Sequence, residues 1–231
     1  MKKFLTISLS IFTLSLFGQC SDSFFPFEEG VSFEQTAYDK KGKALGKTIS
    51  SVLSVEGSTA SVKNVFFDKK DKEVADGEYE IICEGNVIKM DFNNFIPDEV
   101  LNQYGEAEIT VKGDFITIPD GLEVGQSLQD GAGTVTIKMS GAAAMNITMD
   151  MKIVDRKVEK SETLNTPAGS FETFKIIQRS IVTMKIMGMN KTTESSSASW
   201  FAKGTGMVKN ESYNQKGDMI GYTLLTSFSK N

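Results

Sequence analysis

Apolar and polar residues alternate along most of the chain after the first twenty residues. Val31, Phe33 and Ala37 share one face of the first such segment, and the same alternation returns in 47–55 and 145–153. Side chains of a β-strand point to opposite faces in turn, so this period of two is typical of half-buried strands. Gly, Asn and Asp separate the segments. The pattern predicts an all-β protein of antiparallel strands.

Some segments are more continuously apolar. We expect them to be central strands covered on both faces, and they are Val62–Phe67, Tyr79–Cys83 and Val87–Phe92. Two further short strands are predicted in Ile109–Ile118, on either side of the turn Lys112–Asp114. A tight hairpin is predicted at Ser140–Ala142.

The segment Asn94–Tyr104 departs from the strand pattern. Pro97 is followed by Asp98 and Glu99, and Val100, Leu101 and Tyr104 then recur at helical spacing. Proline in a first turn with acidic residues behind it favours a helix start. One short helix is therefore predicted here, plugging an end of the sheet.

Similar turn residues are repeated at three places in the chain. Tyr38–Gly42 (YDKKG) and Tyr213–Gly217 (YNQKG) are followed at the same spacing by an aliphatic residue, a glycine and a threonine, and Phe67–Asp71 (FDKKD) is a weaker third copy. Asp or Asn opening a type I turn, with glycine three places later, is typical of a hairpin with a bulge. Three hairpin tips with exposed lysines are predicted. So many strands favour an antiparallel meander that forms a barrel-like or strongly curved sheet, closed or nearly closed, because closure removes exposed edges.

Residues 1–18 have the features of an export signal. Lys2 and Lys3 precede the apolar run Phe4–Phe17, and Gly18 supplies a small residue for cleavage. The run is too short to span a bilayer, which takes about 20 residues. We expect the mature chain to be a single all-β domain, 19–231, that is exported to the periplasm, the outer membrane or the extracellular space without a transmembrane span.

Cys20 follows this signal directly, and two interpretations of it compete. A lipoprotein signal would place an acylated cysteine here, although Phe17 and Gln19 are bulky for such a site. Cleavage after Gly18 would instead leave Cys20 free to pair with Cys83, the second cysteine of the chain, in an oxidising compartment.

Composition excludes several classes of function. The chain has no histidine, which removes Ser-His-Asp and Cys-His catalysis and His-ligated zinc. The net charge of −5 becomes −7 when Lys2 and Lys3 leave with the signal. A negative chain without basic clusters in its sequence argues against nucleic acid and anionic membranes as partners. No cofactor is predicted.

Methionines concentrate in one part of the chain, where seven of the 11 fall between Met139 and Met189. Thioethers could bind copper(I), or fill an irregular core, or line a barrel cavity that accepts an apolar ligand. The intermingled Ile and Val favour packing over copper. The candidates for lining such a cavity are Met139, Met145, Met149, Met151 and Met184.

Two segments, Thr166–Phe174 (TPAGSFETF) and Trp200–Lys209 (WFAKGTGMVK), resemble the TapB-like group of exported Bacteroidetes proteins, which is similar to domain-of-unknown-function 3108 proteins. Cys20–Gly30, Val124–Leu128 and Tyr213–Gly217 fit the same group. The resemblance implies a β-barrel-like or strongly curved antiparallel meander in the cell envelope or outside the cell. It brings no activity, cofactor or catalytic residue.

Together these features predict a non-enzymatic binding or envelope-associated module that holds an apolar small molecule or an unidentified envelope partner. A module that binds partners through its surface is the alternative. An enzyme that uses carboxylates is the third hypothesis, since 30 acidic residues make close pairs common by chance.

Overall fold

A computed structural model of the chain describes residue 20 and residues 22–91, 108–139 and 145–230. The export signal, the helix predicted at 94–104 and the turn predicted at 140–142 lie outside the described residues.

Thirteen strands make up the regular structure of this described part. They are β1 (Ser32–Asp39), β2 (Ala44–Glu56), β3 (Thr59–Asp68), β4 (Glu73–Glu84), β5 (Val87–Met90), β6 (Glu108–Gly113), β7 (Ile116–Pro119), β8 (Gly131–Met139), β9 (Met145–Thr166), β10 (Gly169–Ile186), β11 (Met189–Ala202), β12 (Gly206–Asn214) and β13 (Met219–Ser229). The all-β prediction is confirmed.

All thirteen strands belong to a single antiparallel sheet. Its order is β6-β8-β9-β10-β11-β12-β13-β1-β2-β3-β4-β5-β7, so most neighbours in the sheet are also neighbours in the chain, as expected of a meander. The strands alternate as their sequences predict. In β8, for example, Gly131, Gly133, Val135 and Ile137 are buried and alternate with more exposed residues.

The prediction that β3, β4 and β5 are covered on both faces is wrong. In β4, Ile81 and Cys83 are buried, whereas Asp76, Glu78 and Glu80 on the other face are exposed. The sheet has a single layer here, so its outer face meets water.

The sheet is strongly curved, which confirms the prediction of a barrel-like or strongly curved sheet, and it is not fully closed into a barrel. β6 pairs with β8 and β7 pairs with β5, and these two edge strands do not pair with each other. Only Asp114 and Phe115 separate them. The chain therefore crosses from one edge to the other over at most about 11 Å, at 3.8 Å per residue. A covalent crossing replaces the hydrogen-bonded closure.

The three hairpin tips predicted from the repeated turn residues are present, and they lie side by side at one end of the sheet. In the first, Asp39 Oδ1 accepts hydrogen bonds from the backbone N–H of Lys41 (2.8 Å) and Lys43 (2.9 Å). Asp68 and Asn214 do the same in the other two tips. The tip at Phe67–Asp71 lacks the glycine, and Asp71 takes the left-handed conformation in its place (φ 59°).

The glycine that follows two of these tips is required by a close approach of strands. A Cβ atom added at Gly46 would lie 2.5 Å from the backbone oxygen of Phe67, and one at Gly221 would lie 2.8 Å from that of Tyr38. Each glycine thus packs against the backbone that enters the turn of the neighbouring hairpin. The repeat of the turn motif and its following glycine is explained by hairpins that pack side by side in the same way.

Gly46→Ala is expected to lower the free energy of unfolding by about 1–3 kcal/mol, the usual cost of overpacking. The added methyl group collides with a backbone atom that cannot rotate away. Gly121→Ala is the matched control, because nothing lies within 4 Å of its Cβ position. Urea unfolding of both variants checks this, and equal stabilities would contradict the close approach.

The segment before β1 fills the interior of the sheet. Phe24 is 2% exposed and its ring meets that of Phe174 edge to face, with 5.8 Å between centroids. Phe25 contacts Phe27 and Phe33 in the same manner. These aromatic rings belong to the main core, which extends to strands of both halves of the sheet.

A disulfide ties this segment to the sheet. The structure joins Cys20 to Cys83 of β4, with 6.1 Å between their Cα atoms. Cys83 is fully buried, and Gly204 N–H donates a hydrogen bond to Ser23 O at 2.7 Å just beyond the bridge. The start of the described chain is therefore fixed at two points.

Candidate functional site

The interior of the curved sheet holds a cavity of about 400 Å³. Side chains from strands on both halves of the sheet face it, together with the N-terminal segment. Its lining consists of Phe24, Phe25, Phe33, Gln35, Tyr79, Ile81, Ile88, Met90, Ile116, Ile118, Ile153, Arg156, Ile176, Gln178, Ser199, Phe201, Gly206, Met207 and Asn210.

Strand periodicity explains most of this lining. Most strands that contribute do so with residues two apart, such as Phe33 and Gln35 or Ile176 and Gln178, because alternate side chains share a face. β12 departs from this spacing with Gly206, Met207 and Asn210. In β9 the lining residues are three apart, Ile153 and Arg156. The register with β10 shifts near this point, and Asp155 has a positive φ of 55°. This bulge turns the Arg156 side chain inward.

Most polar groups of the lining already have protein partners. Gln35 Nε2 donates to Met207 O (2.6 Å), and Ser199 Oγ donates to Asn210 Oδ1 (2.9 Å). Burial raises the pKa of Tyr79 to about 12, so its phenol stays neutral. These groups leave the cavity wall mainly apolar, with its polar positions satisfied.

Arg156 is the charged residue of the lining and is only 3% exposed. Its guanidinium donates to Gln129 O (2.7 Å) and Thr117 O (3.0 Å), and its Nε donates to Gln178 Oε1 (3.3 Å). Burial lowers the pKa of Arg156, and the nearby Asp130 carboxylate opposes that shift. An arginine retains its charge under such conditions.

A second cavity of about 370 Å³ adjoins the first, towards the hairpin tips. Gln35 and Met207 line both spaces, so the hydrogen bond between them lies at the partition. Leu45 is on the rim of the second cavity and is 54% exposed.

Those of the proposed methionines whose side chains the structure describes pack in two smaller clusters. Met139, Met149 and Met184 pack around a smaller cluster built on Val135, Ile137 and Ile147, and Met151 packs against Ile116 and Ile153. Met90 and Met207 are the methionines of the cavity lining. A ligand-lining role for Met139, Met145, Met149, Met151 and Met184 stays a prediction. The signal that would have found the cavity is Gln35 and Gln178, two amides at inward positions of otherwise apolar strand faces.

The second resembling segment contributes to both faces of the sheet: Phe201, Gly206 and Met207 line the cavity, and Trp200 makes a separate set of contacts. Trp200 is 4% exposed, with Lys175 Nζ 5.0 Å and Lys209 Nζ 4.7 Å from its ring centre. Its Nε1 donates to Glu162 Oε1 at 2.7 Å. Lysine stems and cation–π contacts cover the ring. Trp200 therefore stabilises the sheet and is not among the residues that line the cavity.

Other kinds of site are not seen in the part of the chain that the structure covers. No three Cys, Asp or Glu side chains come together there as a metal site. Nor does that part include a helix that is both long and apolar enough to cross a membrane.

Known proteins share this architecture. The DUF3108-like family model matches residues 28–225, which confirms the resemblance to domain-of-unknown-function 3108 proteins. One solved structure with the same fold is an exported-protein candidate with a YmcC-like fold from Bacteroides fragilis. Its TM-score is 0.68 and its identity 21%, over 90% of this chain and 100% of that one.

Another is a lipoprotein candidate from Parabacteroides distasonis, with a TM-score of 0.70 and 20% identity over 90% of this chain and 99% of that one. At such identities the likeness shows the fold alone. Among curated proteins, none matches the sequence.

Proposed function

The chain belongs to the DUF3108-like family, and we propose that it is an exported, non-enzymatic binding protein that holds an apolar small molecule in the interior of its curved sheet. The single observation that carries the proposal is the cavity of about 400 Å³. Ligand pockets span roughly 300–1,000 Å³ and are mostly apolar with a few polar groups. An empty apolar cavity destabilises a fold in proportion to its volume, so a space of this size favours an occupant.

Export is part of the proposal. The signal at residues 1–18, the disulfide and the two solved structures, one an exported-protein candidate and one a lipoprotein candidate, all support it. The thiol of Cys20 cannot be acylated while it is bonded to Cys83. We therefore expect a mature chain that begins at Gln19 and carries no lipid, working in the periplasm, at the outer membrane or outside the cell. The absence of histidine supports binding rather than catalysis.

A variant that fills the cavity tests the proposal. Ile88 is 2% exposed and lines the cavity, so Ile88→Trp is expected to occupy the space that the ligand needs. Binding of the uncharged apolar dye N-phenylnaphthylamine, followed by its fluorescence, should weaken by about tenfold or more, equivalent to 1.4 kcal/mol.

Leu53→Trp is the matched control, because Leu53 is 41% exposed and is not among the residues that line the cavity. It should bind the dye like the wild type, and the thermal midpoint of each variant shows that it is folded. A wild-type protein that does not bind the dye, or an Ile88→Trp variant that binds it equally well, would overturn the proposal.

A further inference from the structure

We infer that the ligand is an amphiphile whose anionic head group is held by Arg156 while its apolar part fills the cavity. This inference rests on the proposed function, since it names the chemistry of the ligand that the cavity would hold.

The first argument is the hydrogen-bonding capacity of Arg156. A guanidinium carries five N–H donors. Three of them have acceptors among the described residues, namely two backbone carbonyls and the amide oxygen of Gln178. Because Arg156 lines the cavity, its two other N–H groups remain for a ligand. A carboxylate or a phosphate oxygen is the acceptor that guanidinium groups bind most strongly.

The second argument is charge. A buried charge is costly unless an opposite charge compensates it. Within the described ranges, none of the ion pairs includes Arg156. Asp130 acts on it electrostatically but makes no ion pair with it. The neutral oxygens that hold the guanidinium orient it, and Asp130 compensates its charge only from beyond ion-pair distance. An anionic ligand would compensate the charge by direct contact.

Arg179, the other arginine of the chain, shows the contrast. Its Nε donates to Asp155 Oδ2 at 2.6 Å, and its Nη1 lies 3.5 Å from Glu194 Oε2. Its side chain is 49% exposed. The arginine at the surface thus has two carboxylate partners, whereas no carboxylate of the described residues forms an ion pair with the arginine in the cavity wall.

The rest of the wall specifies the other part of the ligand. Phe24, Phe33, Ile81, Ile88 and Ile118 surround the space with aromatic and aliphatic groups. A small anion alone would leave these surfaces unfilled, and a fully apolar molecule would leave the guanidinium without an ion-pair partner. A single chain with one acidic end satisfies both.

Competition against bound N-phenylnaphthylamine tests the inference with two probes of equal chain length, dodecanoate and dodecanol. On the wild-type mature protein, dodecanoate should displace the dye at a concentration lower by about tenfold or more, which corresponds to one charge-assisted hydrogen bond. Equal potency of the two probes would overturn the inference and leave the proposed function standing. If neither the dye nor either probe binds, the proposed function fails as well.

Two variants then assign the effect to its residue. In Arg156→Gln the advantage of dodecanoate over dodecanol should disappear, and in Arg156→Lys, which keeps a cation, part of it should return. Arg179→Gln is the matched control and should keep the full wild-type ratio. An unchanged ratio in Arg156→Gln would overturn the assignment. If Arg156→Gln does not fold, the potency ratio of dodecanoate to dodecanol in Arg156→Lys is compared with the wild-type ratio instead.

Discussion

Replacing Cys83 with serine is expected to lower the free energy of unfolding by about 4 kcal/mol, because the disulfide closes a long loop in the unfolded chain. Cys20 and Cys83 are 63 residues apart in sequence. The bridge also holds the segment that carries Phe24 and Phe25 against the inside of the sheet. Urea unfolding monitored by tryptophan fluorescence gives the measurement.

Reduction of the wild-type protein is the matched condition, and it should cause a loss of similar size with no change in sequence. The intact mass of the mature protein provides the chemical check, since two hydrogens should be gained on reduction and no acyl groups should be present. Equal stability of oxidised and reduced protein, or an acylated Cys20, would contradict the account of this cysteine.

Phe24→Ala is expected to destabilise the protein by about 3 kcal/mol, at the lower end of the range for a buried phenylalanine because one side of its ring already borders a cavity. The substitution removes the edge-to-face contact with Phe174 and enlarges the interior space. The same urea titration measures the loss.

Phe115→Ala is the control for this variant, since Phe115 is 40% exposed in the link between β6 and β7. Its stability should stay within about 0.5 kcal/mol of the wild type. If Phe24→Ala proves as stable as Phe115→Ala, the N-terminal segment does not pack inside the sheet.

Local features of the fold were predictable from the sequence because local chemistry determines them. The alternation in β8 depends on the period of a strand, and the three tips depend on Asp39, Asp68 and Asn214 at the first position of a turn. The repeat of the glycines that follow two of the tips was also visible in the sequence. Its reason, the approach of Gly46 to a neighbouring backbone, appears only when the hairpins stand side by side.

Long-range features were not predictable in the same way. Closure was expected because it removes edges, yet the two edge strands are consecutive in the chain and Asp114 and Phe115 connect them instead. Phe24 and Phe25 precede the first strand and show no period, so nothing in the sequence pattern indicated that they enter the interior.

The cavity illustrates the same limit. The prediction of a ligand-lining role was made for methionines of β8–β10, because they are concentrated there. The charged group of the cavity wall is Arg156, which a bulge beside Asp155 turns inward. A bulge shifts a side chain from one face to the other, and period-two reasoning cannot locate it.

Native mass spectrometry of the mature protein, purified from the cells that export it, tests the central claim most directly, because the interior cavity should retain a small molecule. The account predicts a mass above that of the oxidised polypeptide, with organic extraction releasing an apolar compound that carries an acidic group. A mass equal to that of the bare chain, together with an extract free of apolar compounds and no uptake of N-phenylnaphthylamine, would contradict it.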